Sequence, residues 1–513
     1  MAFMMGIDVG TTATRAIVMR PDGHLSGAAT VGHPPMRMPK AGWAEQNPED
    51  WWHATIEAVR AALQQAGAGG AEIAGIGLSG QMHGVTVLDK ANVVLRPAIL
   101  WCDQRTQSQC DWITNRVGAH RLIRLVSNPA LTGFSAPKLL WIRDHEPRFY
   151  ERAAHLLLPK DYVRLRLTGE FATDVSDASG TLLFDVVKRR WSQEMLESLQ
   201  IDPAILPKAT ESVEISGEVS GEAALLTGLR ARTPVVAGAG DQAASAVGNG
   251  IVSPGLTSAT LGTSGVIFSY TDSPRIDPHG RVHTFCHAVP QKWHVMGVTQ
   301  GAGLSLRWFR EQLGESEAWY ARQLGVDAYE VIIEEAKKIP PGSDGLLFLP
   351  YLMGERTPHL DPQARGMWFG LTAAHTRGHL IRSILEGVAF SLRDSIEILR
   401  ELKVPVNQVR ASGGGSRSAL WRQIQAEIYG QNVVSLRESE GSAYGAALLA
   451  GVGARIYSSV EEAARETVKV CNEVSPHPEN AALYDKLYGV YRRLYPAVRN
   501  LSHELAELGQ EPL

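Results

Sequence analysis

Short apolar runs separated by turns dominate the opening of the chain. Phe3 to Val9 is largely apolar, Arg15 to Met19 follows closely, and Pro21-Asp22-Gly23 turns the chain before Leu25 to Val31. That pattern predicts an antiparallel meander whose first connection, Gly10-Thr11-Thr12, is small and hydroxylated. Trp51 to Gln65 carries apolar residues at helical spacing behind Pro48-Glu49-Asp50, and Ile73 to Leu78 returns as a strand. Residues 104 to 170 read as mainly helical, Trp191 to Leu199 as a further helix, and about Thr210 to Gly240 as strands again.

The opening layout recurs. Thr257 to Leu261 runs into Gly262-Thr263-Ser264-Gly265 and continues as Val266 to Tyr270, repeating Asp8 to Met19. This echo predicts a duplicated α/β architecture with two small loops opposed across a cleft. The second half adds a strand at Leu346 to Leu349, a long helix from about Arg377 to Leu402 and a strand at Gln408 to Ala411. A helix over Ala419 to Tyr429, a strand at Val433 to Leu436, a small-residue helix from Ser442 to Ala450 and helical periodicity over Tyr484 to Leu508 complete it. A chain of 513 residues exceeds one core. The expected division is 1–253, 254–455 and a helical tail, 456–513, packed on the second domain.

Composition narrows the partners more than the fold. A net charge of −4 offers no attraction to nucleic acid, so a small-molecule substrate is expected. No apolar run is long enough to cross a bilayer, and Cys102, Cys110, Cys286 and Cys471 form no CxxC pair. A cytoplasmic protein is therefore expected, with a homodimer left open.

Candidate chemistry centres on Gly238 to Gly248, GAGDQAASAVG, where the apolar run Pro234 to Ala237 turns into a helix. Asp241 there is either a helix cap or a carboxylate base at the mouth of a cleft. Gly10-Thr11-Thr12 and Gly262-Thr263-Ser264 are hairpin loops whose N–H groups and hydroxyls suit phosphate, with Asp8 placed to bind Mg²⁺ directly or through water. Gly413-Gly414-Gly415 with Ser416 is either a nucleotide approach or a connection capped by Ser416. His83 is a candidate sugar ligand, and Trp101 offers a face for the C–H surface of a sugar. Gly75, Gly77 and Gly80 match the dinucleotide spacing, but strand and turn follow them where that motif needs a helix.

Taken together, the chain resembles the FGGY carbohydrate kinases. The resemblance runs through Gly6 to Thr12, Gln81 to Gly84, Trp101 to Thr106, Thr132 to Trp141, Leu158 to Tyr162 and Asp174 to Thr181. It continues in the Asp241 stretch, Leu261 to Gly265, Gly354 to His359 and Gly413 to Ser418. It implies two actin-like (ribonuclease H-like) domains with sugar and ATP bound between them. It also implies transfer of the γ-phosphoryl of ATP to a ketopentose, D-xylulose in particular. Asp241 would be the catalytic base; Met82, His83, Trp101, Asp103 and Gln242 would join it around the sugar. Asp8, Gly10, Thr11 and Thr12 would form the first phosphate and Mg²⁺ loop, Gly262, Thr263 and Ser264 the second, and Gly413 to Ser416 would border the adenosine.

Gln242 departs from the asparagine common in the ketopentose members, whereas the glycerol members carry glutamine there but not Met82 and His83. Another ketopentose, a polyol, or a non-catalytic sugar sensor on the same fold are the competing readings.

Overall fold

The computed structural model describes residues 2–437 and 441–508. Two compact units share the chain and neither is continuous. Met1–Ser253, Tyr270–His294 and Glu440–Lys469 form the first; Pro254–Ser269, Val295–Ser439 and Val470–Leu513 form the second. The chain changes unit more often than a single boundary near residue 253 implies. The small-residue helix, Gly441–Gly453, belongs to the first unit although its place in the sequence groups it with the second half.

The first unit is built on β1 (Phe3–Val9), β2 (Ala13–Met19), β3 (Leu25–Gly32), β4 (Ile73–Gly80), β5 (Ile215–Glu218), β6 (Pro234–Val236) and β7 (Ala239–Gly240). Their order is β5-β6-β4-β1-β2-β3, with β7 also paired to β4. β1 runs antiparallel to β2 but parallel to β4, and β7 is parallel to β4. Asp8 lies opposite Ser79, and Ser79 lies opposite Ala239. One rung thus crosses three strands just before they end, and Asp241 follows two residues later at the same edge. Carboxyl ends of parallel strands are where open α/β sheets bind ligands.

Helices cover the sheet from within the first unit. Pro48–Ala66 buries Trp51, Trp52, Ala58, Val59 and Ala62, starts on an Asn47 cap and stops at a left-handed Gly67. The Gly441–Gly453 helix lies so close to β1 and β4 that a Cβ on Gly77 would run into the Ala446 carbonyl, and one on Gly6 into that of Ala443. Glycine at 77 is therefore a packing requirement, which explains residues that only imitate a dinucleotide fingerprint.

The second unit repeats the layout with β8 (Gly255–Leu261), β9 (Gly265–Thr271), β10 (Trp293–Thr299), β11 (Val406–Ser412), β12 (Asn432–Leu436) and β13 (Val470–Val474), ordered β10-β9-β8-β11-β12-β13. β8 is antiparallel to β9 and parallel to β11, as β1 is to β2 and β4. Beside it, the Arg377–Glu401 helix is buried along most of its length.

The expected tail splits. Residues 456–469 belong to the first unit, the Pro478–Leu508 helix belongs to the second, and 509–513 lie outside the described residues. The terminal helix is held by tyrosines at helical spacing. Tyr484, Tyr488 and Tyr495 each donate a hydroxyl to a buried carboxylate, those of Glu386, Asp394 and Asp361, at 2.6 Å. Among the described residues no helix is long and apolar enough to cross a membrane.

Candidate active site

The strand-to-helix turn excludes the helix-cap reading of Asp241. Gly240 holds the N-cap position and Asp241 is the first residue of the Asp241–Gly248 helix. Its carboxylate still lies at the positive end of the helix. Burial pushes its pKa up to about 7 and the nearby Asp8 charge adds to the rise, while hydrogen bonds from Gln242 pull it back only in part. A carboxylate so placed takes and gives a proton near neutral pH.

Asp8 is also raised above the ordinary carboxylate range, chiefly by burial, with the Ser442 and Ser79 hydroxyls and the Arg15 charge acting against it. Its Oδ1 is buried without a hydrogen-bond partner. That orphaned acceptor fits a divalent cation or a water bound to one. Among the described residues no cluster of three or more His, Cys, Asp or Glu forms a metal site. An ion at Asp8 would thus take most of its ligands from water and phosphate.

Met82 and His83 come to the same place. A Cβ on Gly240 would meet Met82 Cγ at 2.9 Å, and one on Gly180 would meet Met82 Cε at 3.2 Å. Met82 therefore packs directly on the turn that carries Asp241 and Gln242. His83 takes a left-handed φ of 68° and places Nδ1 2.8 Å from the Gly180 carbonyl. A carbonyl only accepts, so Nδ1 carries the proton and Nε2 is the acceptor of the neutral ring. Phe134 and Phe285 flank the imidazole at 5.0 and 6.2 Å.

The Gly10-Thr11-Thr12 loop is braced by side chains that sequence patterns do not connect. Gln81 Nε2 donates to the Gly10 carbonyl, Gln46 Nε2 to the Thr11 carbonyl, and Trp101 Nε1 to Thr11 Oγ1. Trp101 thus supports the loop through its indole N–H and is 36% exposed. Asp103 needs correction as a sugar ligand. It is fully buried, accepts the Ala44 N–H and is clasped by the Arg105 guanidinium. Its oxygens fix the chain around Arg105, itself stacked over Trp43.

In the second unit, Gly262, Thr263, Gly414 and Gly415 line a pocket of about 680 Å³. Ser264, Gly413 and Ser416 are not among its lining residues. Gly413 is bare because Leu261 lies against it, and Gly415 because Leu261 and Trp421 do, whereas a Cβ on Gly414 would meet nothing. Ser416 donates to the Gly413 carbonyl, and the cap of the Ala419–Tyr429 helix is Ser418. Arg307, Tyr329, Ile333, Lys337 and Trp421 complete much of the wall. Sequence reading missed them because helical residues on separate segments carry no shared motif.

Comparison with known proteins fits this geometry. Residues 3–248 match the N-terminal domain of the FGGY family of carbohydrate kinases, and residues 257–454 match its C-terminal domain. The xylulose kinase of Bacillus subtilis (strain 168) is 40% identical over 505 residues, covering 98% of this chain and 99% of its own. That of Escherichia coli (strain K12) is 40% identical over 492 residues, covering 96% and 98%. The crystal structure of xylulose kinase from Rhodospirillum rubrum superposes with a TM-score of 0.90 at 31% identity, over 98% of this chain and 100% of that one.

Proposed function

Because the chain belongs to the FGGY family of carbohydrate kinases, we propose that it transfers the γ-phosphoryl of ATP to the C5 hydroxyl of D-xylulose in the cytoplasm, with Asp241 as general base. The observation that carries the site assignment is the Asp241 carboxylate. It follows by two residues the rung that joins Asp8, Ser79 and Ala239, comes directly after the Gly240 against which Met82 packs, and has its pKa pushed to about 7.

In this reading Asp241 accepts the proton of the C5 hydroxyl as the new O–P bond forms. The bond between the γ-phosphorus and its bridging oxygen breaks, and ADP leaves. His83 Nε2 accepts from a sugar hydroxyl, and Met82 supplies an apolar wall on the side of Gly240. The 680 Å³ pocket of the second unit, with Gly262, Thr263 and Gly414, holds the nucleotide, and the N–H groups and hydroxyls of Gly10 to Thr12 in the first unit suit phosphate. Asp8 Oδ1 would hold Mg²⁺, whose charge offsets that of the phosphates when it is bound. Positioning and charge complementarity supply most of the rate in such a reaction. The xylulose kinase identity of the full-length relatives favours D-xylulose as acceptor.

ADP release with Mg²⁺-ATP, measured across D-xylulose, L-xylulose, ribulose and glycerol against a no-sugar control, tests the reading. Turnover highest on D-xylulose is expected. A preference for glycerol would move the assignment to a polyol kinase and put the weight on Gln242. Sugar binding without ADP release would refute catalysis altogether.

A further inference from the structure

Close to the Asp241 turn lies a buried ionic cluster to which phosphoryl transfer assigns no part. Lys160 Nζ stands 2.6 Å from Asp161, 2.9 Å from Asp174 and 3.2 Å from Asp177, and Arg164 is 3.0 Å from Asp161. All five side chains are shielded from solvent. Three carboxylates against two cations leave one negative charge in excess. Burial pushes the Asp177 carboxyl well above the usual carboxylate range, with the Lys160 charge acting against the rise and Asp161 and Asp174 adding to it.

The cluster reaches the catalytic turn through hydrogen bonds. Arg164 donates to the Ala237 carbonyl. Gly238 N–H donates to the Ser212 carbonyl, and the Ser212 hydroxyl donates to Asp174 Oδ2. Ser176 gives both its backbone N–H and its hydroxyl to Asp174 Oδ2. A serine hydroxyl has one proton to give, and that of Ser176 goes to Asp174 Oδ2. The Ser176 oxygen is thereby turned to accept the Gly240 N–H, 3.1 Å away. Gly240 has little latitude, since Met82 lies against it and β4 pairs with it.

We propose that Ser176 is a positioning residue for the reaction: tied to Asp174, it fixes the Gly240 peptide from which the Asp241 carboxylate is aimed at the acceptor hydroxyl. The inference rests on the reading of Asp241 as general base. Displacing a reacting group by about 1 Å costs on the order of 10²-fold in rate, whereas sugar contacts made by Met82 and His83 do not depend on that peptide's hydrogen bond.

Four variants test it: Ser176→Ala, Ser176→Cys, Asp241→Asn and the Ser176→Ala/Asp241→Asn double variant, each assayed for kcat and for the KM of the sugar. Cysteine preserves the packing while accepting a hydrogen bond only weakly, so it serves where alanine folds poorly. The expected result is a fall in kcat of about 10- to 100-fold for Ser176→Ala and Ser176→Cys with sugar KM within about threefold. The double variant should be no slower than Asp241→Asn alone. Native kcat in Ser176→Ala or Ser176→Cys, parallel worsening of kcat and KM, or losses that multiply in full in the double variant would each overturn the proposal. Near-native turnover in Asp241→Asn would instead overturn the base assignment beneath it.

Discussion

Replacing Asp241 by asparagine should damage activity and at the same time stabilise the protein, by an amount that depends on pH. The carboxyl shifts from an ordinary 3.8 to about 7 in the folded chain. A raised carboxylate pKa means that the folded state binds this proton more tightly than the unfolded state does. Its stabilising contribution is complete below pH 4 and is lost as pH rises through 7. At 1.36 kcal/mol per unit, the wild type gives up roughly 1.5 to 2 kcal/mol by pH 5 and about 4 kcal/mol by pH 8. Asparagine carries no charge at either pH and escapes that loss, and it relieves Asp8 of a neighbouring negative charge as well. The variant should therefore melt higher than wild type, by several degrees more at pH 8 than at pH 5, while its kcat falls ~10²- to 10⁴-fold. Differential scanning calorimetry of the ligand-free protein at the two pH values, paired with coupled ADP assays, reads both effects. The wild-type kcat should rise with pH through about 7 as the base ionises. A melting difference that is the same at pH 5 and pH 8 would refute the electrostatic argument. Retained turnover would refute the role of the carboxylate.

Two further perturbations probe the scaffold. Gly77→Ala puts a methyl group into the Ala446 carbonyl, a clash with backbone that the Gly441–Gly453 helix relieves only by moving, and should cost about 1–3 kcal/mol in chemical denaturation. Tyr488→Phe removes the hydroxyl given to Asp394, whose carboxyl burial already pushes to about 7, and should cost about 1–3 kcal/mol with sugar KM unchanged.

Much of the candidate site stands out in the sequence because residues of suitable chemistry coincide with punctuation. Asp241 stands out among small residues after an apolar run, and the two Gly-Thr loops advertise themselves by occupying equal places in β1-β2 and β8-β9. The duplicated strand layout followed from that echo alone. What sequence could not give was contact across the chain. Asp103 sits in a stretch that carries the resemblance, yet it is fully buried and its oxygens are engaged by Arg105 and the Ala44 N–H. Trp101, expected to offer a ring face, also gives its indole N–H to Thr11 Oγ1. Ser416 and Ser418 are two residues apart and equally good caps by composition; only the path of the chain selects Ser418. Gln46 and Ser442 brace the Gly10-Thr11-Thr12 loop and Asp8 from positions that no local pattern links to them.

The Gly441–Gly453 helix also sets an order of events during synthesis. The first unit's sheet is finished by about residue 240, but the helix that seals Gly6 and Gly77 leaves the ribosome some 200 residues later. At ~5–20 residues per second that is a wait of roughly 10–40 s, during which a glycine-lined face of the nascent sheet lacks its native cover. An N-terminal fragment ending at residue 253 lacks that cover permanently. The unit that carries Asp8 and Asp241 is thus completed only at Lys469, just over nine-tenths of the way along the 513 residues.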